Sequence, residues 1–150
     1  MKKATFALLT ALCLSFAASA ADGLINVQSQ HSVTTTADRL EKILNKKGMT
    51  VFNRISHSKS AAKIGVQLRE TELIIFGNPK AGSPLMQCAQ KIAIDLPQKT
   101  LVYKDENNKV WIAYNDVEYL KNRHSVQGCE KVFLKIAKIL ATITKLAADK

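Results

Sequence analysis

The sequence predicts an α+β fold: one compact domain, an antiparallel sheet covered by helices, with elements in the order β-α-β-β-β-β-α plus short extra helices. Three observations predict it. Thr100–Lys104 and Val110–Tyr114 are apolar-rich runs around the polar stretch DENNK, the pattern of an antiparallel hairpin. Leu73–Phe76 is the continuous run LIIF, which reads as a buried strand. Cys129–Ala147 is an amphipathic helix, with Val132, Phe133, Ile136, Ile139, Leu140, Ile143 and Leu146 on one side and Lys131, Lys135, Lys138 and Lys145 opposite.

The remaining elements follow in order. Leu24–His31 is a first strand of weak alternation. Thr34, Thr35 and Thr36 are cap candidates for a helix running to Lys47, with Ala37, Leu40, Ile43 and Leu44 on one face and Gly48 as its stop. Met49–Ser56 is a strand, Ser58–Lys63 a short helical turn, and Glu72–Phe76 the next strand. Pro84–Lys91 reads as a short helix with Pro84 in its first turn, and Asp116–Arg123 as another, capped by the Asn115-Asp116 pair.

The first twenty residues have a different logic. Met1-Lys2-Lys3 is positive, Ala4–Ala17 is apolar and uncharged, and Ala18-Ser19-Ala20 is a small-residue cleavage signature. Residues 1–20 therefore read as a secretory signal peptide, cleaved to leave a domain of residues 21–150 in the periplasm or outside the cell. The apolar run is too short to span a bilayer, although an uncleaved interfacial anchor is the alternative. Leu12 stands before Cys13 where a lipid anchor needs a small residue.

Loss of Lys2 and Lys3 lowers the formal charge from +10 to +8. A basic balance can draw nucleic acid, anionic lipid or acidic ligands. Lysine and arginine are dispersed without a five-residue basic run, so a solvated basic surface is expected and nucleic acid is not. The lysine face of the final helix could lie on anionic lipid, but a helix packed on a sheet has the same pattern and is the reading adopted. Two cysteines remain after cleavage, Cys88 and Cys129, an even count that in an oxidising compartment suggests one disulfide. Closing a loop of about 40 residues would stabilise the fold by roughly 4 kcal/mol in the chain-entropy picture.

The stretch FGNPKAGSPLM imitates a phosphate loop, since Gly77 and Gly82 bracket four residues after a strand. Ser83 and Pro84 nevertheless occupy the Lys and Ser/Thr places, Lys80 stands elsewhere in the pattern, and Pro79 and Pro84 lack the N–H groups of an anion cradle. Nucleotide binding is excluded. What remains is a rigid turn, Asn78–Ser83, that either offers Lys80 to a small anion or only connects two elements.

LIIFGNPKAGSPLMQ, AIDLPQKTLVYKDENNKVWIAYND and YLKNRH, with NRISHSKSAAKIG upstream, together resemble the bacterial family of domains of unknown function numbered 302. The resemblance implies a fold similar to the TATA-binding-protein-like class, with no implication of DNA binding. It implies no reaction and no cofactor. The motif positions it carries over are His57, Gly77, Asn78, Pro79, Lys80, Gly82, Asp95, Pro97, Tyr114, Asn115, Asp116, Arg123 and His124. Ala93 stands where a glycine is usual, and Val117 where a proline is. Exported members that look like this chain carry a cysteine pair at the Cys88 and Cys129 places, which supports the bridge.

The function expected from these residues is binding of a small ligand or partner without catalysis. Its candidate contacts are His57, Asn78, Lys80, Asp95, Asn115, Arg123 and His124, with a small anionic ligand as the expected class. The rival is a metal protein or enzyme in which His57 and His124 meet near Asp95 or Asp116; otherwise each histidine is structural, and Asp95 accepts backbone hydrogen bonds in a turn. No G-x-S-x-G elbow or H-E-x-x-H pair is present. A homodimer through a sheet edge or the final helix is a further expectation.

Overall fold

Alternation along the strands and a 3.6-residue stripe along two helices create two complementary apolar faces. In the computed structural model, described over residues 23–150, those faces meet. Strands β1 (Leu24–Ser29), β2 (Thr50–Ser56), β3 (Thr71–Gly77), β4 (Gln98–Lys104) and β5 (Val110–Asn115) form one antiparallel sheet in the order β1-β5-β4-β3-β2. The helices are α1 (Val33–Lys46), α2 (His57–Ala62), α3 (Pro79–Cys88), α4 (Val117–Arg123) and α5 (Glu130–Ala148), with a 3-10 helix at Gln90–Asp95. Helix α1 joins the two edge strands and packs with α5 over one face of the sheet. The signal-peptide region lies outside the described residues. The α+β class and the hairpin are as expected, and Asp105 holds the hairpin turn by accepting from the backbone N–H of Asn107 and Lys109.

Several local expectations are corrected. The LIIF run is not buried on both sides. Glu72, Ile74 and Phe76 face the helices, whereas Leu73 and Ile75 lie half-buried on the other face. Helix α1 is capped by Ser32, whose hydroxyl accepts from Thr35 N–H, and not by the threonine run. On α5, Leu146 is exposed while Ala147 and Ala148 are buried, because the last turn runs against β1 and α1 and admits only small side chains. Helix α3 starts at Pro79 instead of Pro84, so the predicted rigid turn Asn78–Ser83 is the cap and first turn of a helix that contains Pro84.

Polar contacts tie the layers. Arg39 donates to the carbonyls of Leu146, Ala147 and Asp149, meeting the orphan acceptors and negative dipole end of α5. Arg54 of β2 donates to Glu72 at 2.7 Å and to Asp38 at 2.5 Å, linking sheet to α1. Burial works against the Arg54 charge, but hydrogen bonds and attraction from Asp38 and Glu72 outweigh it and push its pKa up.

Candidate functional site

The segment that imitated a phosphate loop builds one wall of a cavity. Asn78 commits both ends of its amide: Oδ1 accepts from Lys80 N–H at 2.9 Å, and Nδ2 donates to the Gly48 carbonyl at 2.9 Å. That cap starts α3, with Pro79 at a first-turn position where its missing N–H costs nothing. Ala81, with only a methyl group, and Gly82, with no side chain, then line a cavity of about 320 Å³ beneath the helix. Its other walls are the end of β3 at Phe76 and Gly77, Met49 and Phe52, the Ala93–Gln98 segment, and Ile136, Ile139 and Leu140 of α5. A Cβ on Gly77 would lie 3.3 Å from Phe52 Cε2 and 3.5 Å from Pro97, so only glycine admits these walls without a shift. Phe52 and Met86, both exposed, mark where the cavity opens.

The lining holds no charged side chain. Its distinctive polar group is Gln98, whose Nε2 is buried and lacks a hydrogen-bond partner. Among the described residues the other such side-chain atom is Thr100 Oγ1, outside the lining. An orphaned buried donor beside an apolar hollow is costly to the protein.

Behind the Ala93–Gln98 wall sits a polar cluster. His124 Nε2 and Asp95 Oδ2 are 2.5 Å apart, with the His124 side chain only 8% exposed. Arg123 Nε lies 3.3 Å from the same oxygen, and Arg123 Nη1 donates to Tyr119 at 3.1 Å. The Tyr119 hydrogen bond first, then the Asp95 charge, raise the Arg123 pKa. Lys99 Nζ donates to the carbonyls of Asp95 and Pro97. These contacts pin the wall to α4 and β4. Asp95 therefore pairs with side chains, not with backbone N–H groups as expected.

The predicted residues thus separate into groups. Asn78 lines the cavity, while Asp95, Arg123 and His124 come together beside its wall. Lys80 is exposed and outside the lining. Asn115 is half-buried in β5 opposite Leu24, and Asp116 caps α4 through Glu118 N–H. His57 begins α2 after the Ser56–Glu72 pair, at the sheet end opposite the Gln98–Phe76 pair that adjoins Asp95. His57 and His124 do not meet, and among the described residues no group of three or more His, Cys, Asp or Glu side chains is placed to hold a metal. Sequence reasoning missed Gln98, Phe52 and Met86. No sequence signal marked them, because Ala81 and Gly82 come to face Ile136, Ile139 and Leu140 of α5 only in the folded chain.

Cys88 at the end of α3 and Cys129 before α5 bring their sulfur atoms to bonding distance, with Cα atoms 6.4 Å apart, a span a bridge covers. The link would join the two helices that wall the cavity.

Comparison with known proteins places this geometry. A crystal structure of an uncharacterized conserved protein DUF302 from Bacillus stearothermophilus is similar over 85% of this chain and 99% of that one, with TM-score 0.77 and 20% identity. That likeness shows the fold. The protein "Fluoride-specific ion channel FluC 1" of Brucella suis biovar 1 is 42% identical over 127 residues, 84% of this chain and 50% of that protein. The protein of the same name in Brucella abortus biovar 1 is 42% identical, over 84% of this chain and 47% of its own length. The chain spans about half the length of the curated relatives it matches, and among the described residues no helix is long and apolar enough to cross a membrane. The family described as Domain of unknown function DUF302 matches residues 25–143, and this chain belongs to it.

Proposed function

We propose that this chain is an exported, non-catalytic module that binds a small, mainly apolar ligand in the cavity under α3. The observation that carries the reading is the cavity itself: about 320 Å³, open at Phe52 and Met86, with an apolar wall and one unpaired buried donor. The absence of a cationic lining side chain favours an apolar ligand over the anionic class expected around Lys80 and Arg123. Export follows from the N-terminal pattern of residues 1–20, and a Cys88–Cys129 bridge would then hold α3 against α5 in an oxidising compartment. Isothermal titration with butylbenzene tests the reading. Wild type binds, and Gly82→Leu, which fills the cavity from α3, does not; a folded wild type that takes up no butylbenzene overturns it.

The match to half of proteins named fluoride-specific ion channels supports a second reading, in which the domain modulates a membrane channel. Fluoride efflux from vesicles holding such a channel, with and without the domain, decides it. An unchanged rate removes that reading.

A further inference from the structure

We infer that Gln98 selects the ligand, and that the cavity takes an uncharged molecule with an apolar body and one carbonyl-type acceptor. This rests on the ligand-binding reading above and narrows it to a chemical class.

The argument is one of donors and acceptors. Gln98 stands at the start of β4, opposite Phe76, with its side chain directed to the helix-covered side of the sheet alongside Thr100 and Val102. Its Nε2 is buried and unpaired, and Gln98 is one of the residues lining the cavity, so a turn of its side chain would present that donor to a ligand. The lining's other polar side chains are Asn78, whose Oδ1 accepts from Lys80 N–H and whose Nδ2 donates to the Gly48 carbonyl, and the exposed Ser83. Pro79 and Pro97 contribute no N–H to the wall. A carbonyl oxygen can accept from Gln98 Nε2, whereas a carboxylate would enter an apolar site without a countercharge. Phe52, Phe76, Met49 and Met86 suit the remainder of the ligand, because aromatic faces and thioethers pack on flat rings and adapt to irregular ones. At protein-like packing, a cavity of about 320 Å³ accepts about 10–14 heavy atoms.

Three probes of matched size separate the possibilities: 4-phenyl-2-butanone, butylbenzene and 3-phenylpropanoate, each titrated into wild type, Gln98→Met and Gln98→Leu. The ketone Kd rises about tenfold in both variants, the loss of one hydrogen bond. Butylbenzene binds the variants as tightly as wild type or more tightly, since the orphaned donor is gone. The carboxylate binds wild type at least about tenfold more weakly than the ketone. In ¹⁵N–¹H spectra of wild type, the ketone moves the Gln98 side-chain amide resonances and butylbenzene leaves them near their free positions. Parallel weakening of ketone and butylbenzene by both variants overturns the inference, as does a preference for the carboxylate, while the ligand-binding reading stands. If none of the probes binds folded wild type, both fail.

Discussion

His124 Nε2 and Asp95 Oδ2 lie 2.5 Å apart, and through this contact the end of α4 holds the segment that walls the cavity. Arg123 reaches the same carboxylate oxygen, so one aspartate anchors two side chains. Asp95→Ala frees both. The expected cost is about 1–3 kcal/mol of stability, with faster amide exchange over Gln90–Gln98 and weaker ligand binding. Unchanged exchange there would mean that the Lys99 bonds to the Asp95 and Pro97 carbonyls suffice.

The Arg54–Glu72 pair is structural and distant in role. Glu72 is 6% exposed, and its charge is answered by Arg54 at 2.7 Å. Arg54→Leu leaves a carboxylate buried without its partner and should cost about 2–4 kcal/mol by denaturant unfolding, discounted from a fully buried pair because Arg54 keeps 26% exposure. Ligand affinity of the folded fraction stays at the wild-type value.

Thr100 is fully buried and its hydroxyl has no partner. Thr100→Val keeps the shape and removes the orphaned group. Stability should rise by about 1 kcal/mol, moving Tm upward by about 4 °C. A fall in Tm would show that the hydroxyl is satisfied in solution.

Asp105 accepts from Trp111 Nε1 at 2.8 Å and from two backbone N–H groups of the hairpin turn. The Trp111 hydrogen bond first, then the turn N–H groups, hold its pKa below the ordinary carboxylate value. A carboxyl group with a depressed folded pKa contributes stability above its unfolded pKa, and that contribution is lost as pH falls through the folded value. Asp105→Asn should therefore flatten the dependence of stability on pH in the acid range, from the ordinary carboxylate pKa downward, with Trp111 fluorescence as the probe. An identical slope in both proteins would contradict the assignment.

Much of the architecture was legible because its signals are local and repeated. The α5 stripe and the DENNK hairpin each carry a periodicity that one register satisfies. The errors came from competition between neighbouring signals. Pro84 read as a helix start because proline favours the first turn, but the Asn78 side chain offers a cap six residues earlier and Pro79 fits the first turn equally well. Ser32 outcompetes Thr34–Thr36 for the same reason. Within the candidate site, Asp95, Arg123 and His124 were visible as polar motif residues, yet their meeting depends on tertiary structure that brings the end of α4 to the end of the 3-10 helix. The cavity was not legible at all. A void is a shortage of volume among residues far apart in sequence, and Ile136, Ile139 and Leu140 read as ordinary core.

The most direct measurement is a crystal structure of the purified protein grown with a 4-bromo derivative of butylbenzene, with the bromine located by anomalous scattering. The account predicts one ordered bromine between α3 and α5, bounded by Phe76, Met86 and Ile139. An empty cavity beside bromine bound elsewhere, or α3 collapsed onto α5 so that no cavity remains, would contradict it.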